Sequence, residues 1–526
     1  MGDMTLVMAC MIAMVAINHR LFSRLRPPAR KRWLLLFLAV ALSVYCVSSF
    51  NGMQGLKTYL ISQYGDTSAY AIQAKMMLHG ILRTPSPQPP EFFSTVHCVN
   101  TGSHYFGKYP PGWPAVLALG IAARIPWILN PFLTVAGLYV LFHLGRKLYD
   151  EMTAWTALIL ASFTFLTVWA ASSYFSEPLA FFTTCAFVYC AVTTLENGKA
   201  GWALGCGASL GLLVITRPQT ALTVAIPVGL FWLWKLIQGE RRLGNAFVVC
   251  AAVLPFLAIL LSYNAYLTGS PLHFPHSLYN ANDRMGFGLR ARDIGDPLVY
   301  FGPGNFLHNL LLEMVLPSLG TLPLCFVFLG ILMVSPKKGS SDGLILFTVA
   351  VVTLFYGFSF VWQTSTRYHW PTCFALALGS ARGLELVFGR LFGKHPKDVP
   401  QQLAFICAIL FTAFYILTTT LPWIKADITN DRLIADPMLT IERAHLPKAI
   451  VFIRTIPVLK HGSIQLVPRL YTQNAPDFTG PVLIALDLGV RNRELAARHP
   501  DRACYVYDFD PREGRGHLTP LDRGGR

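Results

Sequence analysis

The chain has 526 residues, of which 53% are hydrophobic and only 13% charged, and its mean hydropathy is +0.46. A soluble globular protein carries about 25% charged residues, so that class is excluded and an integral membrane protein is the starting point. The formal net charge of +16 does not point to nucleic acid: no basic face with interleaved aromatics and no recognition motif is present, and Lys and Arg gather in short joints between apolar blocks.

The blocks are about 20 residues long, the length a helix needs to cross ~30 Å of hydrocarbon. The first, 4–17, is followed by Arg20, Arg24, Arg26, Arg30, Lys31 and Arg32 with no acid between them. Basic residues after the apolar run, with no small-residue cleavage site, predict an additional span rather than a signal peptide. The positive-inside rule puts the joint in the cytoplasm. Residues 33–50 then cross outward and deliver 51–113 as a long external loop rich in Pro, Ser and aromatics, the kind of segment that carries function.

Residues 111–129 fit only as a short or re-entrant segment, because both neighbours need the external side. Further spans are read at 131–149, 152–171, 178–195, 202–216, 220–237 and 246–264, then, after a second external loop over 265–305, at 318–335, 344–361, 370–388 and 403–421. The total is about twelve. Basic joints at Arg146 and Lys147, Lys199, Arg241 and Arg242, Lys337 and Lys338, and Lys394 and Lys397 alternate with Lys/Arg-poor ones, as a single orientation requires. Beyond Pro422 short β-rich runs at 449–453, 482–486 and 504–507 lie between polar turns. The expected architecture is mainly α: a polytopic helical bundle over 33–421, an added N-terminal span and basic joint over 1–32, and a small external α/β domain over 422–526.

Several minor patterns have plain structural readings. Gly201 and Gly205, and Gly207 and Gly211, have the small-xxx-small spacing of close helix packing rather than that of a nucleotide loop. Of 11 cysteines all but Cys98 and Cys504 lie within apolar blocks; those two could pair in an oxidising compartment only if they approach within bonding distance. His97, Cys98 and His104 match no standard zinc spacing. Asp508-Phe509-Asp510 resembles a DxD metal motif but reads equally as a polar turn after a strand.

On this topology Asp66, Lys108, Glu177, Arg217 and Arg367 all fall at or near the external ends of spans. Ionisable groups at membrane depth are costly unless they pair or face a wet cavity, so several at one level mark a functional site. Asp66, in Gln63-Tyr64-Gly65-Asp66-Thr67, could accept the proton of an attacking hydroxyl; Asp is also a preferred helix N-cap, and the two roles are compatible. Glu177, in Ser176-Glu177-Pro178, opens a span where dipole complementarity alone would favour an acid. The three cations suit the charge that builds on a departing phosphate, and each also suits a lipid-headgroup anchor or an ion-pair partner.

Five segments, in this order, resemble the GT-C superfamily of membrane glycosyltransferases, particularly bacterial relatives of protein O-mannosyltransferases and the lipopolysaccharide-type transferases that use polyprenyl-phosphate sugars. They are Gly65-Asp66 with its following helix; Lys108-Tyr109-Pro110-Pro111-Gly112-Trp113-Pro114; Ser176-Glu177-Pro178; Thr216-Arg217-Pro218; and Arg367-Tyr368 before Trp370-Pro371. The resemblance covers 33–421. It implies that Asp66 is the catalytic base or an acceptor-binding acid and Glu177 a second acid, and that Lys108, Arg217, Arg367 and Tyr368 face the donor phosphate. Tyr64, His104, Tyr105, Tyr174 and Asn264 become candidate substrate contacts, and transfer would invert the anomeric centre. Many relatives carry two adjacent acids in the first loop, whereas Thr67 follows Asp66 here, so no essential metal and no other cofactor is expected; a divalent metal, with Glu177 near it, is the alternative, which no specific motif supports.

The implied activity is hexosyl or pentosyl transfer from a polyprenyl-phosphate carrier to a glycan, lipid or protein acceptor of the cell envelope, in a multi-pass protein of the bacterial inner membrane with its site and tail on the periplasmic or external side. Membrane lipids are expected partners and nucleic acid is not. The loop 265–305, with His276 and Asn280, could cover donor or acceptor. A transporter or flippase for a lipid-linked substrate is the alternative, but transporters place essential charges in broken helices near the midplane rather than at span ends beside a long loop. A noncatalytic scaffold presenting its tail would tolerate substitution of Asp66.

Overall fold

The computed structural model describes residues 27–52, 65–238, 243–291, 294, 296–320, 322, 324–336, 338–359, 366–392, 398–454, 456–458, 462–464, 473–510 and 515–521. The expected span over 4–17 and the candidate Tyr64 lie outside them. The apolar blocks are helical because a helix satisfies every backbone N–H and C=O within itself where no water is available. Among the described residues eight helices are long and apolar enough to cross a membrane: Arg32–Ser49, Pro126–Leu148, Glu177–Asn197, Pro218–Ile237, Gly244–Thr268, Ser340–Gly357, Arg367–Leu391 and Val399–Thr420. A ninth forms if Glu151–Ser162 and Phe165–Ala171, bent by 69° at Phe163 and Thr164, count as one span. Three shorter apolar helices, Gly112–Ala122, Ala200–Thr216 and Cys325–Val334, make up most of the remainder of the expected spans.

Two boundaries differ from the hydropathy reading. The expected span over 318–335 is instead the end of one helix, Pro303–Gly320, and the whole of another, Cys325–Val334, with Leu324 in left-handed backbone (φ 57°) between them. The second loop therefore ends earlier than hydropathy suggests. Downstream, the helical course passes from Asp398–Tyr415 through a π-helical turn, Ile416–Thr420, into Leu421–Arg443. Pro422 stands directly after the π-helical turn, whose wider backbone accommodates a residue that has no N–H to give to the preceding turn.

The short segment expected over 111–129 is the helix Gly112–Ala122, from which the chain turns at Arg124 (φ 60°) into Pro126–Leu148. The Lys-Tyr-Pro-Pro-Gly-Trp-Pro run builds its start. A Cβ on Gly112 would lie 2.5 Å from Thr216 Oγ1 and 2.8 Å from the Ile215 carbonyl oxygen, so only glycine lets this helix touch the end of Ala200–Thr216. Trp113 is buried and donates its indole N–H to the Tyr174 carbonyl at 2.8 Å. Gly112→Ala should cost about 1–3 kcal/mol through overpacking, read as a lower unfolding temperature in detergent. The same logic applies at Gly207 and Gly211, where a Cβ would meet the Val249 carbonyl at 2.4 Å and the Phe256 ring at 2.3 Å; Gly201, by contrast, faces open space.

The first loop folds around the helix Gly65–Leu78 and an antiparallel sheet of order β1-β3-β2, from β1 (Thr84–Pro85), β2 (Cys98–Asn100) and β3 (His104–Gly107). In the second loop β4 (Gly288–Arg290) pairs with β5 (Val299–Phe301). The tail holds β6 (Ala449–Ile453), the hairpin of β7 (Ile456–Val458) with β8 (Gly462–Ile464), β9 (Val482–Leu486), β10 (Ala503–Asp510) and β11 (Arg515–Pro520). Its four-stranded sheet runs β11-β10-β6-β9, parallel except at β11. Apolar side chains of β6 and β9 share one core with the first loop: Phe92 meets Phe452 at 6.1 Å and Phe93 meets Phe478 at 5.1 Å between ring centroids. Tyr507 and the Gly516 N–H donate to Asp436 at 2.6 and 2.7 Å, tying the sheet to the helix Leu421–Arg443. Cys98 and Cys504 are not joined to each other by a disulfide.

Candidate active site

Four of the candidate residues meet in one chain of ion pairs. Asp66 stands in the first turn of Gly65–Leu78, and its Oδ2 accepts from Arg367 Nη1 at 3.0 Å. Arg367 Nε lies 3.8 Å from Glu177 Oε1, and the same oxygen is 3.1 Å from Arg217 Nη1. Glu177 opens the helix Glu177–Asn197 and is only 1% exposed, so its charge is held almost entirely by these two guanidiniums. Arg217 caps the end of Ala200–Thr216 and the start of Pro218–Ile237, and its Nη1 also donates to Ser176 Oγ at 3.0 Å. Three helix termini and the segment Thr366–His369 thus converge, although their residues are far apart in sequence.

Aromatic side chains hold the arginines in place. The Arg367 guanidinium lies 5.1 Å from the centroids of both Phe175 and Tyr368, and Tyr368 also receives Nη2 at 3.4 Å. Arg217 sits 5.5 Å from the Tyr368 ring, which stacks on Tyr356 at 5.2 Å and 12°. Cation–π attraction is strongest where water is excluded, so these rings favour the charged arginines that an isolated buried cation would not sustain.

Around Asp66 the first loop supplies two further partners, neither among the candidates read from sequence. Tyr109 donates its hydroxyl to Asp66 Oδ1, and His97 Nε2 lies 3.7 Å from the same oxygen. Burial alone would raise the Asp66 carboxyl, but the charges of Arg367 and His97, the Tyr109 hydrogen bond and the charge of Lys108 outweigh it, holding the group well below the ordinary carboxylate range. Lys108 is buried, its ammonium 4.4 Å from the Tyr279 centroid. Tyr279 belongs to Pro275–Tyr279 and its ring is 5.7 Å from His97, so the second loop reaches the site. His276 and Asn280 serve that loop internally, facing Asp283 at 3.2 Å and the Ala291 carbonyl at 3.1 Å.

The remaining candidates stand apart from the ion-pair chain. His104 is on β3 beside Ser103 Oγ at 3.0 Å, and Tyr105 packs 5.9 Å from Phe478. Tyr174 is buried, with its carbonyl taken by Trp113, and Asn264 donates to the Pro271 carbonyl at 3.2 Å where the second loop begins. Among the described residues no three His, Cys, Asp or Glu side chains gather as a metal-binding group.

One ionisable pair escaped sequence reading altogether. His369, two residues from Arg367, bonds Glu313 on the helix Pro303–Gly320, and both are buried. The pair fastens the Thr366–His369 segment that presents Arg367 and Tyr368. Glu313→Ala should cost about 1–3 kcal/mol by stranding the imidazole, read as a lower unfolding temperature in detergent. The available signal was an acid inside an apolar stretch and a histidine just ahead of one.

No protein-family model matches the chain, and no curated protein matches it in sequence. Solved structures do. That of ArnT from Cupriavidus metallidurans bound to undecaprenyl phosphate is similar at a TM-score of 0.55 and 12% identity, over 94% of this chain and 99% of that one. The apo state of the same protein gives 0.53 and 11% over 95% and 100%. The chain shares its fold with that protein. The oligosaccharyltransferase of Archaeoglobus fulgidus, in complex with Zn and sulfate, is more distant at 0.46 and 12%, over 78% of this chain and 60% of that one. In this fold Asp66 comes from the first long loop and the arginines from the termini of bundle helices, which is why the acid and its cations are separated by up to 301 residues.

Proposed function

We propose that this chain transfers a sugar from a polyprenyl-phosphate carrier to a cell-envelope acceptor on the outer face of the bacterial inner membrane, inverting the anomeric centre. The observation that carries the reading is the linked set Asp66, Arg367, Glu177 and Arg217: one carboxylate with a route to solvent, adjoining two aromatic-braced guanidiniums, at the edge of an apolar bundle. A lipid phosphate arriving from the bilayer meets cations there, and an acceptor arriving from water meets the acid.

In this reading the acceptor hydroxyl gives its proton to Asp66 as its oxygen attacks the anomeric carbon. The bond from that carbon to the phosphate oxygen breaks on the opposite side, and its electron pair goes to the phosphate. Arg217, Arg367 and Lys108 stabilise the added charge, with Tyr368 positioning the guanidiniums. The fold it shares with ArnT, which was solved with undecaprenyl phosphate, supports a lipid-linked donor. The sugar is a hexose or a pentose, and the acceptor a glycan, lipid or protein.

The test is incubation of the purified protein in nanodiscs with a panel of polyprenyl-phosphate sugars and envelope acceptors, followed by mass analysis and anomeric assignment of products. Transfer with inversion is expected. Binding of lipid donors with no transfer to any acceptor, and their movement across vesicle bilayers instead, would replace this reading with a flippase.

A further inference from the structure

We propose that the donor phosphate and Asp66 compete for the Arg367 guanidinium, so that arrival of the donor is what releases Asp66 to act as base; this rests on the glycosyl-transfer reading above. The two guanidiniums next to Asp66 and Glu177 are already committed in the structure. Arg367 gives Nη1 to Asp66 at 3.0 Å and turns Nε toward Glu177 at 3.8 Å, while Arg217 holds Glu177 at 3.1 Å. Glu177, at 1% exposure, cannot exchange its partners for water. Asp66 can: its side chain is 17% exposed, and Arg367 is 15% exposed. The bond between them is the one link of the chain that opens toward solvent.

A carboxylate clamped by a guanidinium and a phenol is a poor base, because both partners stabilise the charge that protonation would remove. A phosphate diester needs the same guanidinium. When Arg367 turns its Nη1 to the phosphate, Asp66 keeps Tyr109, the nearby His97 and the charge of Lys108 but loses its guanidinium partner, and its affinity for the acceptor proton rises. The acid is thus inactive until the leaving group it must work against is bound. After transfer the acceptor oxygen is bonded to the sugar, the proton rests on Asp66, and the phosphate departs as a monoester with one more negative charge. Loss of that monoester returns Arg367 to Asp66, which expels the proton to water.

Competition makes a prediction opposite to ordinary loss of a site residue. The probe is polyprenyl methyl phosphate, a monoanionic diester that has no sugar to transfer and no titrating group near neutral pH. Wild-type protein in nanodiscs should bind it, and Asp66→Asn should bind it about ten-fold more tightly while losing transfer. In an Arg367→Gln background the gain from Asp66→Asn should vanish, because the contested cation is gone; a gain that persists there would mean general charge repulsion and overturn the proposal. Equal or weaker binding by Asp66→Asn would overturn it too. If Asp66→Asn does not fold, Asp66→Ala, which removes the competing carboxylate outright, takes its place with the same expected direction and the same Arg367→Gln control. Failure of wild-type protein to bind either the diester or any polyprenyl-phosphate sugar would sink the transferase reading itself.

Discussion

Asp66→Asn should lower kcat for sugar transfer by about 10²–10⁴-fold, the range that a positioned general base contributes. The substitution preserves shape and leaves one oxygen to accept from Tyr109 or Arg367, so the first loop should stay folded. On the proposed mechanism, what it removes is the site for the acceptor proton. Stability responds in a definite direction. The folded-state carboxyl is held below its unfolded value of about 4, so its ion pairing contributes stability above that pH, lost as pH falls through the folded value. Asp66→Asn should therefore unfold at a somewhat lower temperature than wild type at neutral pH, with the difference closing in strong acid. Turnover with mass detection and thermal unfolding on the same samples measure both effects. Full transfer by a folded Asp66→Asn protein would remove Asp66 from the mechanism.

Removing Arg217 should be the most damaging change to the fold. Glu177 is almost wholly enclosed, with its two nearest cations at 3.1 and 3.8 Å, and Arg217→Ala takes the closer one away. An uncompensated buried charge costs about 3–5 kcal/mol when one partner of a buried pair is deleted. Arg217 also bonds Ser176 and packs on Tyr368, so its loss should free the Tyr368 ring. The informative comparison is with the double substitution Glu177→Gln, Arg217→Gln, which strands no charge. It should recover most of the unfolding temperature while donor use stays impaired. A double variant no more stable than Arg217→Ala would mean that the pair contributes through packing rather than charge.

The bundle itself was legible because hydropathy is a local property: a run such as 246–264 declares a helix whatever surrounds it. The exceptions are instructive. Glu313 lowers the apolarity of Pro303–Gly320 enough to push the expected helix start downstream, and only its buried bond to His369 shows why that acid is tolerated. The helix continuing through Pro422 was hidden because proline reads as a stop unless a wider turn precedes it. In the site, Asp66, Glu177, Arg217 and Arg367 could each be singled out as charges at span ends, but every one had a bland alternative as a cap or a headgroup anchor. Tyr109 sits inside the Lys108-to-Pro114 motif, where nothing local marks its hydroxyl as a partner of Asp66, and His97 has next to Cys98 only the look of a metal ligand.

Composition and periodicity by themselves determined that this is a membrane-embedded helical bundle with a β-containing tail, since both follow from where single residues prefer to be. Which acid pairs with which cation was decided by the tertiary structure alone. Asp66 and Arg367 are 301 positions apart, and no local preference encodes their 3.0 Å bond. It exists because the close approach at Gly112, the core shared by Phe92, Phe93 and the tail sheet, and the buried Glu313–His369 pair together fix the loop against the bundle. Ionic attraction within a few ångströms is strong in a dry interior, but packing must first bring the charges there.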